Sequence, residues 1–282
     1  MTTAVAAPFR FFSLQVARTR RLGPSLLRVT FTGPDLHAFH SHGRDQSLSL
    51  FLPQPGQSEP AVPIELGDGW WQGWRELPDD VRAVMRSYTL RALRRNPDEI
   101  DIDFVLHGVR PGAATPAGPA SLWASRATAG DRVVLLGPAV EDNRAIRFRP
   151  PEDTDLVLIW GDGTAVPAAS AILESLPAGL RVRAWLEVPH ASDIQDVVTE
   201  ADAEITWLVQ GDDGSPMAVD AVRAARLPSA EAPYAWIAGE SGPVKELRRH
   251  LVRERGIDRR RVTFVGYWRR GLSEEQLREQ GE

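Results

Sequence analysis

The sequence has no cysteine, and Lys245 is the only lysine among its 33 basic residues. The lack of thiols excludes disulfides, iron–sulfur clusters, thiolate zinc sites and cysteine nucleophiles. Because arginine carries nearly all of the positive charge, an anion site must use guanidinium groups or backbone amides, which favours planar, bidentate recognition. No apolar run approaches the roughly 20 residues that a membrane span needs, and the first residues lack the pattern of a secretory signal. We therefore expect a cytoplasmic protein with no membrane partner.

The chain also lacks an excess of positive charge, since its net charge is −5 over 282 residues. Nucleic-acid binding depends on clustered positive charge, so this balance argues against nucleic acid as the main partner. Domains usually contain roughly 100–200 residues, so the length favours two domains.

The first half of the sequence consists of short alternating segments separated by turns, which predicts antiparallel strands. One short helix is predicted over 122–127, after the Gly118-Pro119 turn. Many short strands with a single helix favour a closed antiparallel barrel. The predicted strands cover 11–18, 27–32, 48–52, 87–93, 100–106 and 132–137.

After Pro150-Pro151 the pattern changes to alternating strands and helices, which predicts a parallel sheet with crossover helices. The continuous apolar run 155–160 is typical of a strand that is buried on both faces. The fold class is therefore all-β followed by α/β, with an antiparallel β-barrel domain over 1–145 and a parallel-sheet α/β domain over 146–282. The second domain has predicted strands at 155–160, 180–188, 204–209, 234–238 and 262–266, and predicted helices at 165–176, 217–226 and 243–255.

Two motifs in the first domain suit a planar cofactor that carries phosphate. Arg86 and Tyr88 lie two residues apart in a predicted strand and so share a face, and Thr89 follows them. A guanidinium group can bind a pyrophosphate, a phenol ring can stack, and a hydroxyl can hydrogen-bond the edge of a flavin. The second motif, Gly118 to Trp123, begins a helix, and the backbone amides of a helix start bind anions.

Two motifs in the second domain follow parallel strands. The turn Gly161-Asp162-Gly163-Thr164 ends the first strand, and Ala238-Gly239-Glu240 ends the fourth. Ligands of open α/β sheets bind beyond the carboxyl ends of the strands, so a dinucleotide fits this edge. The turn is not the full G-x-G-x-x-G pattern.

The order and spacing of these motifs resemble the ferredoxin-reductase-like superfamily. Within it the sequence is most similar to the siderophore-interacting proteins, which are FAD-dependent ferric-siderophore reductases. The resemblance covers nearly the whole chain. It is carried by Arg-Ser-Tyr-Thr (86–89), Asp-Phe-Val-Leu-His-Gly (103–108), Gly-Pro-Ala-Ser-x-Trp-Ala (118–124), Gly-Asp-x-Thr-Ala-x-Pro-Ala (161–168), Ala-Gly-Glu (238–240) and Gly-Tyr-Trp-Arg-x-Gly (266–271).

The resemblance implies an N-terminal FAD-binding domain, a C-terminal NAD(P)H-binding domain with a C-terminal extension, and electron transfer from NAD(P)H through FAD to a ferric siderophore or another ferric chelate. It implies no protein acid or base and no protein-bound metal. The cofactor-binding residues that it implies are Arg86, Tyr88, Thr89, Val105, His107, Gly118, Ala120, Ser121, Asp162, Thr164, Gly239, Glu240, Tyr267 and Trp268.

The anionic chelate is expected to meet basic residues near the C-terminus, which are Lys245, Arg248, Arg249, Arg269 and Arg270. Arg259-Arg260-Arg261 is interpreted as a solvated turn, with a contribution to this basic rim as the alternative. For the nucleotide, Glu187 at the end of the second parallel strand would repel a 2′-phosphate and favour NADH, while Arg181 and Arg183 could cancel that effect.

Three further features stay open at this level. His37, His40 and His42, with Asp45, could suggest a metal site, but a solvated loop is favoured. Trp70, Trp71 and Trp74 form either a lid near the flavin or part of a core. The loop 109–117 is longer than the compact loop of the family.

Two alternative functions also remain at this level. One is a flavoprotein electron-transfer component that serves a protein partner. The other is a non-catalytic siderophore-binding protein.

Overall fold

The computed structural model describes residues 7–109, 112, 116–210 and 218–279. The chain divides into two compact units, Met1–Ile146 and Arg147–Glu282. Part of the predicted 109–117 loop and the first residue of the predicted 217–226 helix lie outside the described residues. Among the described helices, none has both the length and the apolar character needed to cross a membrane.

The first unit is a curled antiparallel sheet of seven strands with two helices, α1 (Trp70–Glu76) and α2 (Pro119–Arg126). Alternate residues of each strand point inward, as a period of two requires. These inward residues form an apolar core that contains Phe31, Leu50 and Phe104, all fully buried. In the order β4-β3-β7-β1-β2-β6-β5, the strands are β1 (Phe9–Arg21), β2 (Leu26–Thr32), β3 (Ser47–Leu52), β4 (Val84–Thr89), β5 (Ala92–Arg94), β6 (Glu99–Val105) and β7 (Arg132–Pro138).

The predicted strand over 87–93 is two strands, β4 and β5, at opposite ends of the sheet order. The chain changes partners at Leu90, whose amide donates to Gln46 O (2.9 Å), and Arg91, whose amide donates to Asp101 O (2.9 Å). The sequence pattern does not show this break, because it depends on which backbone carbonyls are nearby.

Two tryptophans of α1, Trp70 and Trp74, belong to a second, smaller core on the other face of the sheet. Trp74 is buried with Phe51 and Met85, and its Nε1 donates to Ala83 O (3.2 Å). Trp70 packs edge-on against Phe51 with ring centroids 5.8 Å apart. Packing in a core therefore holds for Trp70 and Trp74, whereas Trp71 is 38% exposed and stacks on Trp74 with ring centroids 5.2 Å apart.

An ionic ladder lies along β6, where Glu99, Asp101 and Asp103 are buried on the face opposite the apolar core. Arg18 binds Glu99 through both oxygens (2.6 and 2.7 Å). Arg94 binds Asp101 in the same way (2.6 and 2.8 Å). Arg28 does so with Asp103 (2.7 and 2.8 Å), so each buried carboxylate has a bidentate partner.

The second unit is a five-stranded parallel sheet covered by helices on both faces. Val157 and Ile159 of its first strand pack with the helix Val166–Glu174 (α3). Leu156, Leu158 and Trp160 pack with the helices Ala218–Ala224 (α4) and Ser241–Arg249 (α5), so the strand is buried on both sides. In the order β10-β9-β8-β11-β12, the strands are β8 (Leu156–Gly161), β9 (Arg181–Val188), β10 (Asp202–Val209), β11 (Pro233–Glu240) and β12 (Val262–Trp268); the helices are α3 (Val166–Glu174), α4 (Ala218–Ala224), α5 (Ser241–Arg249) and α6 (Glu274–Glu279).

The strand order of this sheet reverses between β8 and β11. The connections after these two strands leave toward opposite faces, which opens a crevice at their carboxyl ends. Asp162 follows β8, and Glu240 ends β11, so both acidic residues lie at this crevice.

The ionic ladder on β6 predicts a dependence of stability on pH. The Arg18 hydrogen bonds, and then those from Arg94, lower the pKa of Glu99 from 4.5 to about 2 against the opposing effect of burial. Because the folded-state pKa is lowered, the stabilisation is fully present above pH 4.5 and is lost as the pH falls towards 2. We expect the free energy of unfolding to decrease across this window in urea titrations followed by circular dichroism.

The variant Arg94→Gln should make this decrease shallower, because Glu99 and Asp101 both lose a charged partner. Arg20→Gln, an exposed substitution at the end of β1, is the matched control and should keep the wild-type slope. An unchanged slope in Arg94→Gln would show that the ladder does not set acid stability.

Candidate functional site

The first candidate site is on β4. Val84 and Tyr88 pack against the barrel core while Met85 packs on the opposite face, so Arg86 shares a face with Tyr88. The Tyr88 ring is held by Phe104, with ring centroids 4.4 Å apart. Arg86 is half-buried, and its Nη1 donates to the carbonyl of Met85 (2.8 Å). These contacts hold a planar ring and a guanidinium group side by side on one strand.

The start of α2 is the second part of this site. Gly118 caps the helix, and a Cβ at this position would lie 3.2 Å from Cε1 of His107. Although the His107 residue is largely exposed, local desolvation of its ring lowers its pKa, which favours the neutral imidazole. Ser121 is buried, and its hydroxyl donates to Val105 O (3.1 Å) and accepts from the His107 amide (3.4 Å). Its hydroxyl therefore joins α2 to the end of β6, and Ala120 lies in the core.

A cavity of about 740 Å³ lies beside these elements in the first unit. Val84 of β4 and Trp123 and Arg126 of α2 form part of its wall, and the segment after β3 forms much of the rest. An ion pair between Glu59 and Arg132 ties this segment to β7. The volume is within the roughly 300–1,000 Å³ that is usual for ligand pockets, but none of the predicted cofactor-binding residues lines this cavity.

The second candidate site is built around the carboxylate of Asp162, which is only 7% exposed. Oδ1 accepts hydrogen bonds from the amide (2.9 Å) and hydroxyl (2.6 Å) of Thr164. Oδ2 accepts from the Glu240 amide (2.7 Å) and from Nε1 of Trp268 (2.8 Å). Burial raises the pKa of Asp162, and these donated hydrogen bonds oppose the rise. One carboxylate thus joins the turn after β8 to the ends of β11 and β12.

Further contacts complete this connection, which we call the Asp162 latch: Asp162, Thr164, Gly239, Glu240, Ser241, Gly266 and Trp268. Glu240 caps α5 by accepting from the Gly242 amide (2.6 Å), and its other oxygen accepts from the Arg270 amide (3.3 Å). Ser241 donates to Trp268 O (3.1 Å), and a Cβ on Gly266 would lie 2.6 Å from the Ser241 hydroxyl oxygen. Three separate sequence motifs are therefore parts of one hydrogen-bonded unit.

Gly239 is required by this geometry. Its φ of 142° is in the region that favours glycine, and a Cβ would lie 2.6 Å from the Asp162 carboxylate. Tyr267 points away from the latch and packs against the α3 side of the sheet.

The predicted substrate residues are not gathered in one place. Helix α5 returns along the sheet, so Arg249 ends it far from the carboxyl edge, and the Arg248 guanidinium stacks over Phe264 (4.4 Å), near the beginning of β12. Arg269 and Arg270 follow the carboxyl end of β12, and Lys245 is exposed midway along α5. Arg269 and Arg270 are therefore beside the latch, and Lys245 is one helical turn, about 6 Å, from its Ser241. Arg248 is about 13 Å away, the length of four strand residues.

The Arg259-Arg260-Arg261 turn lies at the amino end of β12. Arg260 binds Asp258 (2.7 Å), and Arg261 binds Asp153 (2.9 Å) and the carbonyl of Ala232 (3.0 Å). These contacts favour a structural turn over a part in a basic rim.

The interpretation of Glu187 as a determinant of nucleotide choice does not fit its position. It is 2% exposed, and its Oε1 accepts from Nε2 of Gln210 (3.0 Å). Arg181 binds Asp155 (3.2 Å) and Arg183 binds Glu204 (3.1 Å), both in the amino half of β9. The sequence pattern correctly predicted that Glu187 lies at the end of β9. It did not predict that the Glu187 side chain is buried.

The histidines of the first unit lie in the segment between β2 and β3. His37 contacts Pro34 O (3.2 Å), and His42 is 3.9 Å from Glu141. Within the described ranges, no group of three or more His, Asp or Glu side chains is arranged so that it could hold a metal ion.

The expected barrel is not closed, because β4 and β5 remain as the two edges of the sheet that the described strands form. An antiparallel half-barrel followed by a parallel sheet with a crevice at its switch point is the ferredoxin-reductase-like architecture. Residues 15–142 match the siderophore-interacting FAD-binding domain, and residues 154–271 match the siderophore-interacting protein domain. The chain belongs to the siderophore-interacting protein family, and FAD is the cofactor of its N-terminal domain.

Three relatives show how far the similarity extends. The chain is 33% identical to the ferric vibriobactin reductase ViuB of Vibrio cholerae, over 95% of this chain and 92% of the relative. It is 31% identical to an NADPH-dependent ferric-chelate reductase of Escherichia coli, over 92% and 93% of the two chains. The crystal structure of the siderophore-interacting protein SipS from Aeromonas hydrophila matches with a TM-score of 0.75 and 32% identity, over 97% and 96% of the two chains.

The latch geometry predicts the effect of a side chain at position 239. Gly239→Ala should lower the stability of the second unit by more than the ~1–2 kcal/mol expected for a positive φ alone, because its Cβ also meets the Asp162 carboxylate. The matched control is Gly256→Ala, which has a φ of 72° and no atom within 4 Å of the added Cβ. Urea unfolding of both variants measures the difference. Equal losses would mean that the carboxylate moves aside at no cost.

Proposed function

We propose that the chain is a FAD-dependent reductase that passes electrons from NAD(P)H to ferric siderophores and releases ferrous iron in the cytoplasm. One observation carries this proposal. A member of this family has both a strand, β4, whose side chains suit a flavin cofactor, and a parallel sheet with a crevice at its switch point. The names of the Vibrio cholerae and Escherichia coli relatives support the same reaction.

The residues of the first unit fit FAD. The guanidinium of Arg86 and the first turn of α2 would bind the pyrophosphate, and the absence of a Cβ on Gly118 leaves room there beside His107. Tyr88 would pack against the ring system, and Thr89 would hydrogen-bond its edge. The cavity between Val84 and α2 would take the adenosine half. When bound, FAD supplies the step from a two-electron donor to one-electron acceptors.

The protein's own groups would bind and orient the reactants. The crevice beside the Asp162 latch would bind the nicotinamide nucleotide, as switch-point crevices do. Arg269 and Arg270 would attract an anionic ferric chelate. One NAD(P)H would reduce two ferric ions and release one proton. Ferrous iron carries less charge than ferric iron and is held less tightly by anionic oxygen ligands, so reduction would free the metal.

The test is a visible absorption spectrum of the protein reconstituted with FAD, recorded before and after anaerobic addition of NADH or NADPH. We expect flavin bands that bleach with nucleotide, recover with a ferric siderophore, and give two ferrous ions per nucleotide. Bands that bleach but do not recover with any ferric chelate would support an electron-transfer component that serves a protein. The absence of flavin bands would leave a siderophore-binding protein.

In the same assay, Arg86→Ala should weaken FAD binding roughly tenfold to a hundredfold, because hydrogen bonds to a charged group contribute about 1.5–3 kcal/mol. Arg20→Ala removes the same charge from an exposed strand end and should keep full occupancy. Full retention of FAD by Arg86→Ala would contradict the assigned site.

The burial of Glu187 predicts that it does not select the nucleotide. In Glu187→Gln, the ratio of kcat/KM for NADPH to that for NADH should change less than about twofold, because the side chain faces Gln210 and not solvent. Glu204→Gln, which neutralises an exposed carboxylate on the adjacent strand, is the control. A tenfold shift towards NADPH in Glu187→Gln alone would restore its role in specificity.

A further inference from the structure

The Asp162 carboxylate faces inward, although the family resemblance places it on the nicotinamide side. Both of its oxygens already accept two hydrogen bonds from Thr164, Glu240 and Trp268, and the residue is nearly inaccessible. A carboxylate has about four acceptor positions, so little capacity remains for a ligand. Direct binding of a nucleotide by Asp162 is therefore inconsistent with its surroundings.

One of the four donors differs from the others. Two belong to Thr164 in the turn after β8, and one is the amide of Glu240, the last residue of β11. The fourth is the indole of Trp268, a residue that is 36% exposed on the edge strand β12. An exposed side chain normally samples several rotamers, and ordering it on binding weakens the affinity for a ligand. The hydrogen bond to Asp162 holds this ring in one orientation.

The fixed ring stands at the edge of the sheet where a dinucleotide would bind. Trp268 ends β12, next to the end of β11 at the switch point, and Ser241 holds its carbonyl from the other side. A rigid indole offers a flat apolar surface to a planar ring. The hydrogen bond therefore connects the buried carboxylate of Asp162 to the exposed indole face of Trp268.

We propose that Asp162 is a positioning residue that acts through Trp268: it holds the indole as a preformed wall for the nicotinamide nucleotide and does not itself contact the nucleotide. This inference rests on the proposed function, since it assigns the crevice to NAD(P)H. It also gives the buried carboxylate a role beyond joining three strand ends.

The first measurement follows the hydrogen bond without any activity. In protein labelled with ¹⁵N-tryptophan, the Trp268 indole N–H resonance is assigned by its disappearance in Trp268→Phe. We expect this resonance to exchange slowly with solvent in the wild type, and to move and lose that protection in Asp162→Asn. Asp258→Asn, at the amino end of β12, is the matched control and should leave it unchanged. A Trp268 signal that is unaffected by Asp162→Asn would overturn the proposal.

The second measurement is the affinity for NADH and NADPH, followed by quenching of tryptophan emission. Asp162→Asn and Trp268→Phe should each raise the Kd roughly threefold to tenfold, the effect of ordering one side chain. The double variant should be no weaker than the worse single variant, because both changes remove the same contact. Additive losses, or an unchanged Kd in Asp162→Asn, would leave Asp162 as a structural residue only.

The two proposals fail in different ways. A wild-type protein that binds nucleotide but reduces no ferric chelate rejects the proposed reaction, while the Kd values still decide the role of Asp162. In an active enzyme, the KM for nucleotide should rise in Asp162→Asn while the KM for the chelate stays constant. A wild-type protein that binds neither nucleotide rejects both proposals.

Discussion

The second unit depends on one buried carboxylate that three strand ends share. Removing a carboxylate from water costs several kcal/mol, and a hydrogen bond to a charged group contributes only about 1.5–3 kcal/mol. The Asp162 side chain is therefore stable in its position only when most of its four donors are present together. This makes the latch cooperative, and it explains why glycine occupies positions 239 and 266, where a Cβ would collide with Asp162 and Ser241.

In the first unit, the free-energy cost of burying a carboxylate is compensated in a different way. Its buried carboxylates on β6 each meet an arginine, so that opposite charges compensate the loss of water and the pKa of Glu99 falls. At Asp162 the described partners are neutral donors, and the pKa rises. Charge pairs bind β6 to β1, β2 and β5, whereas neutral donors join the turn after β8 to the ends of β11 and β12 at the carboxyl edge of the parallel sheet.

The sequence predicts the architecture well because architecture follows from periodicity. Alternation identified the barrel strands, the buried run at 155–160 identified β8, and both motifs at the carboxyl edge lie where the parallel sheet requires them. The break at Leu90, the burial of Glu187 and the contacts of α1 depend on which atoms face each other across the fold, and local sequence carries no signal for them. The latch itself was visible only as separate motifs, since no spacing rule relates Asp162 to Trp268.

The composition also explains why the basic residues were hard to sort. In a chain with one lysine, arginine provides both the structural ion pairs and the exposed positive charge. Arg18, Arg28, Arg94 and Arg261 all bind carboxylates of the fold, so an arginine run such as 259–261 does not by itself indicate an anion site. What separates Arg269 and Arg270 from the rest is their backbone: they directly follow Trp268, and Glu240 accepts from the Arg270 amide. The hydrogen bonds of the Asp162 latch therefore also fix the backbone position of Arg269 and Arg270 beside the crevice.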